Sequence, residues 1–429
     1  MKNLKLRSEI GRLGDLKLSY KCLISLCIIS PLIMMQTALA KPATGITQAA
    51  QTLHQQLLVI DSHLDTALHL ARPDWDILTP HHYADDFSQV DWPRMQQGGL
   101  KAGFWAIYTP QGTRTPQANA ESTTQALATA VRIQDLARQY PQQFALAKTA
   151  DELRANAVQG RHSIILSIEN ATPLASSPTK MLGVFERLGV RMLGLVHSKN
   201  NDFADSSTDQ PEWQGLSPAG QQLVKAAACH GMIIDVSHAS DQVLDQVLQI
   251  SNAPVIASHS SSKAIYDHPR NLDDQRIRQL ATKGGVIQVT TYPAYMGQLD
   301  SNPVRQAAQS QLFAGFKQPA LLTQTTINQL AARQQQLEHD YPLQHAPNLE
   351  RFMQHLLHVL KLVGAEHVGI GADWDGGGGV KGLEDVSALP QITARLLAAG
   401  YSAQEIKNIW GENLLRLLQQ AEQLKRSCQ

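Results

Sequence analysis

Four cysteines in 429 residues are too few for a disulfide framework, and two of them, Cys22 and Cys27, lie in an apolar stretch near the N-terminus. For the other two, Cys229 and Cys428, free thiols are the simpler expectation, one half-buried and one on a frayed tail, with a single bridge in an oxidising compartment as the alternative. Charge of one sign is not in excess either: 37 Lys and Arg stand against 37 Asp and Glu with no long charge run, which excludes disorder and a nucleic-acid-coating protein. No hydrophobic run is long enough to cross a bilayer, since the longest spans 22–35 and contains Pro31, against the roughly 20 residues a spanning helix needs. A Gly-x-Ser-x-Gly elbow, a Cys/His nucleophile pair and a basic aromatic surface are missing, so serine hydrolases, cysteine hydrolases and nucleic-acid binders are not expected. Internal repeats and Gly/Ser linkers are absent too, and nothing in the composition marks a second domain.

What is present is enough apolar material, 43% of residues, for one large core. The first 40 residues hold six basic side chains and two acidic ones, then the apolar run, then Ala38-Leu39-Ala40, a small-residue cleavage site. Residues 1–40 therefore read as a removable export signal, and 41–429 as a single domain exported to the periplasm or secreted, with no stable membrane span after cleavage. The polar end, 424–429, is no lipid-anchor signal.

Eight short apolar runs recur along that domain, at 57–60, 102–108, 163–168, 191–196, 232–236, 254–258, 285–290 and 367–371. Such runs suit parallel strands buried on both faces. Between most of them lie amphipathic helical patterns with proper ends: Ser240 ahead of Val243, Leu244, Val247 and Leu248; Ser217-Pro218; Ser402 with Glu405; and Gly189 closing a stripe of Met181, Leu182, Phe185 and Leu188. Eight strands alternating with helices predict an α/β fold, a (β/α)8 TIM-type barrel, with a doubly wound sheet as the alternative use of the same elements. A Gln-rich stretch at about 293–366 reads as an insertion between the seventh and eighth strands. Its simplest role is a solvated helical surface, with a lid or a homodimer contact as the other options.

Metal-binding residue types fall at the carboxyl ends of these strands, where barrel enzymes build their sites. The first strand runs into His63-Leu64-Asp65, the third into Glu169, the fourth into His197, the fifth into His238, the sixth into His259, and the eighth into Asp373 and Asp375. Any one of these would more often be a packing or loop residue; together His63, Asp65, Glu169, His238 and His259 predict a metal site. Alternation along a strand would place His63 and Asp65 on one side, able to take one ion together. Three imidazoles and two carboxylates exceed what one four-coordinate ion needs if a water position stays open, and suit two ions sharing a carboxylate, for which Glu169 is the natural bridge. His54, His69, His81, His162 and His355 lie off the strand ends and read as surface or packing residues. Tyr292, at the end of the seventh strand, is a candidate pocket wall, Asp375 a loop cap or an orienting group, and the glycines 376–379 a flexible loop beside the site rather than a phosphate cradle.

The ordered blocks Ile60-Asp61-Ser62-His63-Leu64-Asp65, Ser167-Ile168-Glu169, Val196-His197-Ser198-Lys199-Asn200, Ile234-Asp235-Val236-Ser237-His238, Ser258-His259-Ser260-Ser261, His268-Pro269-Arg270-Asn271 and Gly369-Ile370-Gly371-Ala372-Asp373-Trp374-Asp375-Gly376 resemble the membrane (renal) dipeptidase family of metallopeptidases along nearly the whole exported chain. The resemblance implies a barrel holding two zinc ions per subunit that hydrolyses free dipeptides through a hydroxide bridging the metals. By position, His63, Asp65 and Glu169 would hold one zinc, and Glu169, His238 and His259 the other. His197 would bind substrate and steady the oxyanion, Arg270 would meet the substrate carboxylate or that oxyanion, and Asp373 would meet the amino group or assist proton transfer to the departing amine. Independently of the family, an Arg fork and an acidic group beside a cationic centre suit a substrate carrying both a carboxylate and an ammonium. The chain departs from many relatives in having Asn170-Ala171 after Glu169 where they have glycine, and Leu64 after His63 where they have asparagine. The competing expectations are a related metal amidohydrolase acting on N-acyl amino acids, β-lactams or cyclic amides, and an exported metal-binding protein without turnover.

Overall fold

A computed structural model describes residues 46–300, 302–316 and 319–428. The expected export signal, with Cys22 and Cys27, lies outside the described residues.

Nine parallel strands form one sheet: β1 (Val59–Leu64), β2 (Leu100–Tyr108), β3 (Phe144–Leu146), β4 (His162–Glu169), β5 (Val190–Gly194), β6 (Ile233–Asp235), β7 (Val255–Ser260), β8 (Val286–Val289) and β9 (Val368–Ile370). Eight of them follow the order β1-β2-β4-β5-β6-β7-β8-β9 around a barrel, and β3 pairs with the start of β4. The seam between β9 and β1 is drawn together by a parallel bridge from Leu64 to Trp374, where Asp65 N donates to Trp374 O at 2.9 Å. The chain is thus an α/β barrel of the TIM type, and each of the eight apolar runs overlaps one of its strands, the first by only Val59 and Ile60. The strand not anticipated is β3, three residues long.

Two layers of packing hold the barrel. Inside its amino-terminal half, Ile60, Phe104, Ile165, Met192, Ile233, Ile256 and Val286 meet Leu414, Leu415 and Leu418 of the last helix, Asn413–Ser427, which stoppers that end. Outside, the helices cover the other faces of the strands, so the strands are buried on both sides and carry few charges. The anticipated helix ends form as expected: Ser240 accepts from Val243 N, Ser217 from Gly220 N ahead of Pro218, Ser402 and Glu405 make a reciprocal capping box, and Gly189 takes the left-handed conformation at φ 107°. With the amino-terminal end filled, the carboxyl ends of the strands are the open end, and the polar candidates stand there.

One expectation is extended and another corrected. The insertion between β8 and β9 does turn glutamines such as Gln324, Gln329, Gln335 and Gln336 to the surface, but Gln334 is buried, and Ile327, Leu330, Ala331 and Leu337 of the same helix, Gln324–Asp340, pack with Leu312 and with Phe87 of the β1–β2 connection into a separate small core that was not expected. Cys229 and Cys428 are bonded to each other, 199 residues apart in sequence, so the tail is tied down rather than frayed. The turn Ala228–His230 and the last helix bring the two together.

Candidate metal centre

Irregularities in the strands aim the ligand candidates. The β1–β2 register shifts between Asp61 and Leu64, and the β7–β8 register shifts between Ala257 and Ser260, so both His63 and His259 sit at breaks in regular alternation. Such bulges re-aim side chains beside active sites. Asp65 lies beyond the end of β1, with φ −89° and ψ 13° at the start of a 3-10 turn, so simple strand alternation is not what brings it to His63. Four non-glycine residues at the open end have left-handed backbones: Asn170 (φ 66°), His238 (68°), Asp373 (68°) and Asp375 (64°). Side chains other than Asn and Asp rarely tolerate this region, and such strain gathers at functional sites. Asn170 is tolerated there because its side chain works locally, donating to Thr109 O at 2.7 Å and accepting from Thr172 N at 2.9 Å. That conformation also explains how glycine could serve at the same point.

The five expected ligands and His197 converge. His63 Nε2 lies 3.3 Å from Asp65 Oδ2 and 3.5 Å from Glu169 Oε2. The other oxygen of Glu169, Oε1, faces His238 Nε2 at 3.3 Å, His197 Nε2 at 3.6 Å and His259 Nε2 at 3.8 Å. His197 is therefore as near Glu169 as His259 is; it differs in having 23% of its side chain exposed against 1%. Asp373 stands beyond His63, with Oδ1 3.9 Å from Nε2. A Cβ at Gly376 would overlap carboxylate oxygens of both Asp65 and Asp373, so this glycine keeps the space between them open.

Burial and charge set the protonation of this cluster. Burial pushes the Glu169 carboxyl up, but the charges of His63 and His197 and the close approach of the His238 imidazole outweigh it and hold the group well below the usual range. Burial would lower His63, yet Glu169 and Asp65 raise it well above an ordinary imidazole. For His238 and His259, burial dominates, joined by positive neighbours including Arg270, and both are held well below the usual value, hence neutral. Neutral imidazoles and ionised carboxylates are the forms that bind metal, so His238, His259 and Glu169 are already suited to it, while His63, raised by its acidic neighbours, and Asp65, raised by burial and by Glu169, would give up a proton to a bound cation. Asp373 is raised well above the ordinary carboxyl, first by burial and then by Asp65 and Glu169 against the opposing charge of His63.

Polar atoms left over in the cluster test whether a cation fits. His63 Nε2 is buried without a hydrogen-bond partner, and His238 Nε2 and His259 Nε2 point at one another across 2.8 Å although one proton at most can serve that contact. Buried polar groups are ordinarily satisfied. A set of imidazole nitrogens and carboxylate oxygens converging in this way fits zinc-type coordination, for which His63, Asp65, Glu169, His238 and His259 would be the donors.

Around the cluster, Asp61 accepts from His63 N at 2.9 Å and from Ala372 N at 3.1 Å, tying β1 to the end of β9; burial pushes its carboxyl up to about 7 against these bonds. Asp375 accepts from Thr66 Oγ1 at 2.7 Å and from Gln89 N at 2.6 Å, so it anchors the Gly-rich loop to the β1–β2 connection. Arg270 is 3% exposed and has no carboxylate partner among the described residues; it donates to His259 O at 3.1 Å and lies 4.8 Å over the Tyr295 ring. Tyr295 stacks on Tyr292, centroids 4.3 Å apart, and Tyr108, the last residue of β2, meets His197 edge-on at 5.2 Å. Sequence reasoning missed Tyr108 and Tyr295; the strand-end position of Tyr108 was a usable signal, whereas nothing marked Tyr295. His54, His69, His162 and His355 are buried packing residues, as expected, and His81 is paired with Asp86 at 2.6 Å.

Known proteins share this sequence pattern and this fold. Residues 47–429 match the family described as membrane dipeptidase (peptidase family M19). The chain is 30% identical over 379 residues to "Dipeptidase tcpJ" of Claviceps purpurea, covering 86% of this chain and 78% of that one. It is 32% identical over 345 residues to "Dipeptidase verJ" of Clonostachys rogersoniana, covering 79% and 77% respectively. Among solved structures, the probable dipeptidase PvdM from Pseudomonas aeruginosa superposes with a TM-score of 0.74 at 30% identity, over 88% of this chain and 98% of that one. With a matching profile over nearly the whole described chain, the protein belongs to the membrane dipeptidase family of metallopeptidases, peptidase family M19.

Proposed function

We propose that the protein hydrolyses the peptide bond of free dipeptides with two zinc ions held across Glu169. The observation that carries this reading is the division of labour at that carboxylate: Oε2 faces His63 on one side, and Oε1 faces His238 and His259 on the other. His63, Asp65 and Glu169 would hold one ion, and Glu169, His238 and His259 the second. Bound zinc supplies Lewis acidity for the scissile carbonyl and brings the pKa of a water close to neutrality, which is how a site without a side-chain nucleophile becomes hydrolytic.

The remaining residues act on the substrate. Arg270, a buried guanidinium whose Nε lacks a partner, would receive the substrate carboxylate in a two-pronged bond. Asp373, beside His63, would take the substrate ammonium or guide a proton to the departing amine. His197, partly exposed beside Glu169, would donate to the carbonyl oxygen as charge develops there. Tyr292, stacked on Tyr295, would form one wall of the pocket and limit the side chain admitted. Residues 1–40 would direct export, and the pairing of Cys229 with Cys428 suits an oxidising compartment; N-terminal sequencing of the secreted form, expected to begin at Lys41, checks this.

The test is amino-acid release from matched free and N-acetylated dipeptides by the zinc-loaded protein and a chelated control. Chelator-sensitive cleavage restricted to the free dipeptides is expected. Cleavage of the acylated set instead would assign the site to a broader amidohydrolase, and no cleavage with both ions bound would refute the hydrolytic reading.

A further inference from the structure

One imidazole of the metal set is held differently from its neighbour. His259 Nδ1 lies 2.8 Å from Ser258 Oγ, and Ser258 Oγ lies 2.6 Å from Asp235 Oδ2. Asp235 Oδ1 is already filled by two backbone donors, Ser237 N and Ser258 N, each at 2.9 Å. All four groups are buried, so no solvent competes for these bonds. His238 Nδ1, by contrast, is buried without a partner.

The direction of each bond follows from what the groups can give. A carboxylate only accepts, and a serine hydroxyl has a single proton to donate. Three donors converge on Asp235, the hydroxyl of Ser258 among them, so the Ser258 proton is committed to Oδ2. What Ser258 Oγ can then offer His259 is a lone pair, and His259 must carry its proton on Nδ1. That choice leaves the His259 Nε2 lone pair aimed at Glu169 and His238, where a metal donor is needed. Partners of this kind behind a ligating histidine fix its tautomer and raise its affinity for metal.

We propose that Asp235 and Ser258 are positioning residues that lock His259 as the Nδ1–H tautomer and thereby set the affinity of the metal position formed with His238, leaving the His63 and Asp65 position nearly untouched. The inference rests on the two-ion reading above and concerns residues that touch neither substrate nor metal. It also explains an asymmetry: His259 is ready for an ion before the ion arrives, whereas His238, whose Nε2 lies within hydrogen-bond distance of His259 Nε2, has no partner to fix its proton on the other nitrogen.

Two substitutions separate this role from plain packing. Ser258→Ala removes the acceptor and frees the tautomer. Asp235→Asn keeps an oxygen for the two backbone donors but turns an N–H₂ toward Ser258 Oγ; the hydroxyl then swings its proton to His259 Nδ1 and imposes the opposite tautomer. Zinc competition against a calibrated chelator, followed by metal analysis, should give two equivalents in the wild type. In Ser258→Ala one of the two should bind about 10- to 100-fold more weakly, and in Asp235→Asn the same one should be weaker still. Selective 15N-histidine spectra of the metal-free proteins should show a protonated Nδ1 at His259 in the wild type and a bare Nδ1 in Asp235→Asn. Circular dichroism establishes that the variants are folded. Folded variants that hold both ions with wild-type affinity, that weaken both equally, or that leave the His259 spectrum unchanged would overturn the proposal. A wild type that takes up fewer than two ions would instead overturn the two-ion reading beneath it.

Discussion

Replacing Glu169 by glutamine keeps the shape of the central side chain and removes its charge. His63 Nε2 is 3.5 Å from Oε2, and at an effective dielectric of ~20 a pair of unit charges at that separation interacts by about 5 kcal/mol. Burying an ionised carboxylate costs several kcal/mol, which offsets about half of that. The net loss for a cation held there is about 2 to 3 kcal/mol, a ~30- to 150-fold weakening, and a dication would feel more. Because each oxygen faces a different ligand group, both ions should weaken together rather than one alone. Competition with a fluorescent zinc chelator measures the two affinities directly, and the thermal midpoint of the metal-free variant reports that the fold survives. Retention of two ions at wild-type affinity with full turnover would refute the bridging role, and so would selective loss of a single ion.

Other substitutions probe the surroundings. Gly376→Ala pushes a methyl group between Asp65 and Asp373, in a backbone that alanine can adopt, so kcat/KM should fall about 10²-fold with an unchanged far-UV spectrum. Arg270→Met should cost free dipeptides ~10- to 150-fold in kcat/KM, the worth of a hydrogen bond to a charged group, while dipeptide amides, which lack the carboxylate, should lose little; equal losses for both would remove Arg270 from carboxylate binding. His81 and Asp86 should make stability pH-dependent. Burial lowers His81, but the bond to Asp86 raises it above the usual imidazole; burial raises Asp86, but His81 and Ser88 N bring it down to about 2. The raised histidine stabilises fully below about 6.5 and loses this as pH rises through its folded value, whereas the lowered carboxyl stabilises above about 4 and loses this as pH falls toward 2. The difference in thermal midpoint between wild type and His81→Gln should therefore be largest between about pH 4 and 6.5. Cys229→Ser should lower unfolding stability by about 2 to 4 kcal/mol, read by denaturant titration with and without reductant.

Much of this was written in the sequence, and the reasons differ by element. The barrel strands were legible because strands buried on both faces must be short apolar runs, and the convergence of the polar candidates because a barrel presents its strand ends at one open face. β3 was not, since Phe144–Leu146 is too short to carry a period and is held by pairing with β4 and by the burial of Phe144 against Trp92 and Trp105. The Cys229–Cys428 pairing depends on where the last helix docks, which local sequence does not encode. The insertion concealed its apolar face because Ile327, Leu330 and Leu337 are diluted by glutamines and find their partner, Phe87, on a connection far away in the chain. The aim of His63 and Asp65 was also hidden, because regular alternation was the expectation and a register break in β1, with Asp65 beyond the strand's end, replaced it. Asp235 and Ser258 stood inside recognisable motifs, yet their part became visible only when the hydrogen bonds behind His259 could be traced.

Anomalous diffraction at the zinc edge from crystals of the zinc-loaded protein tests the central claim most directly. Two peaks are expected about 3.5 to 4 Å apart, one against His63 and Asp65, the other against His238 and His259, with the Glu169 carboxylate between them. A single peak, or a pair of which Glu169 touches only one, would contradict it.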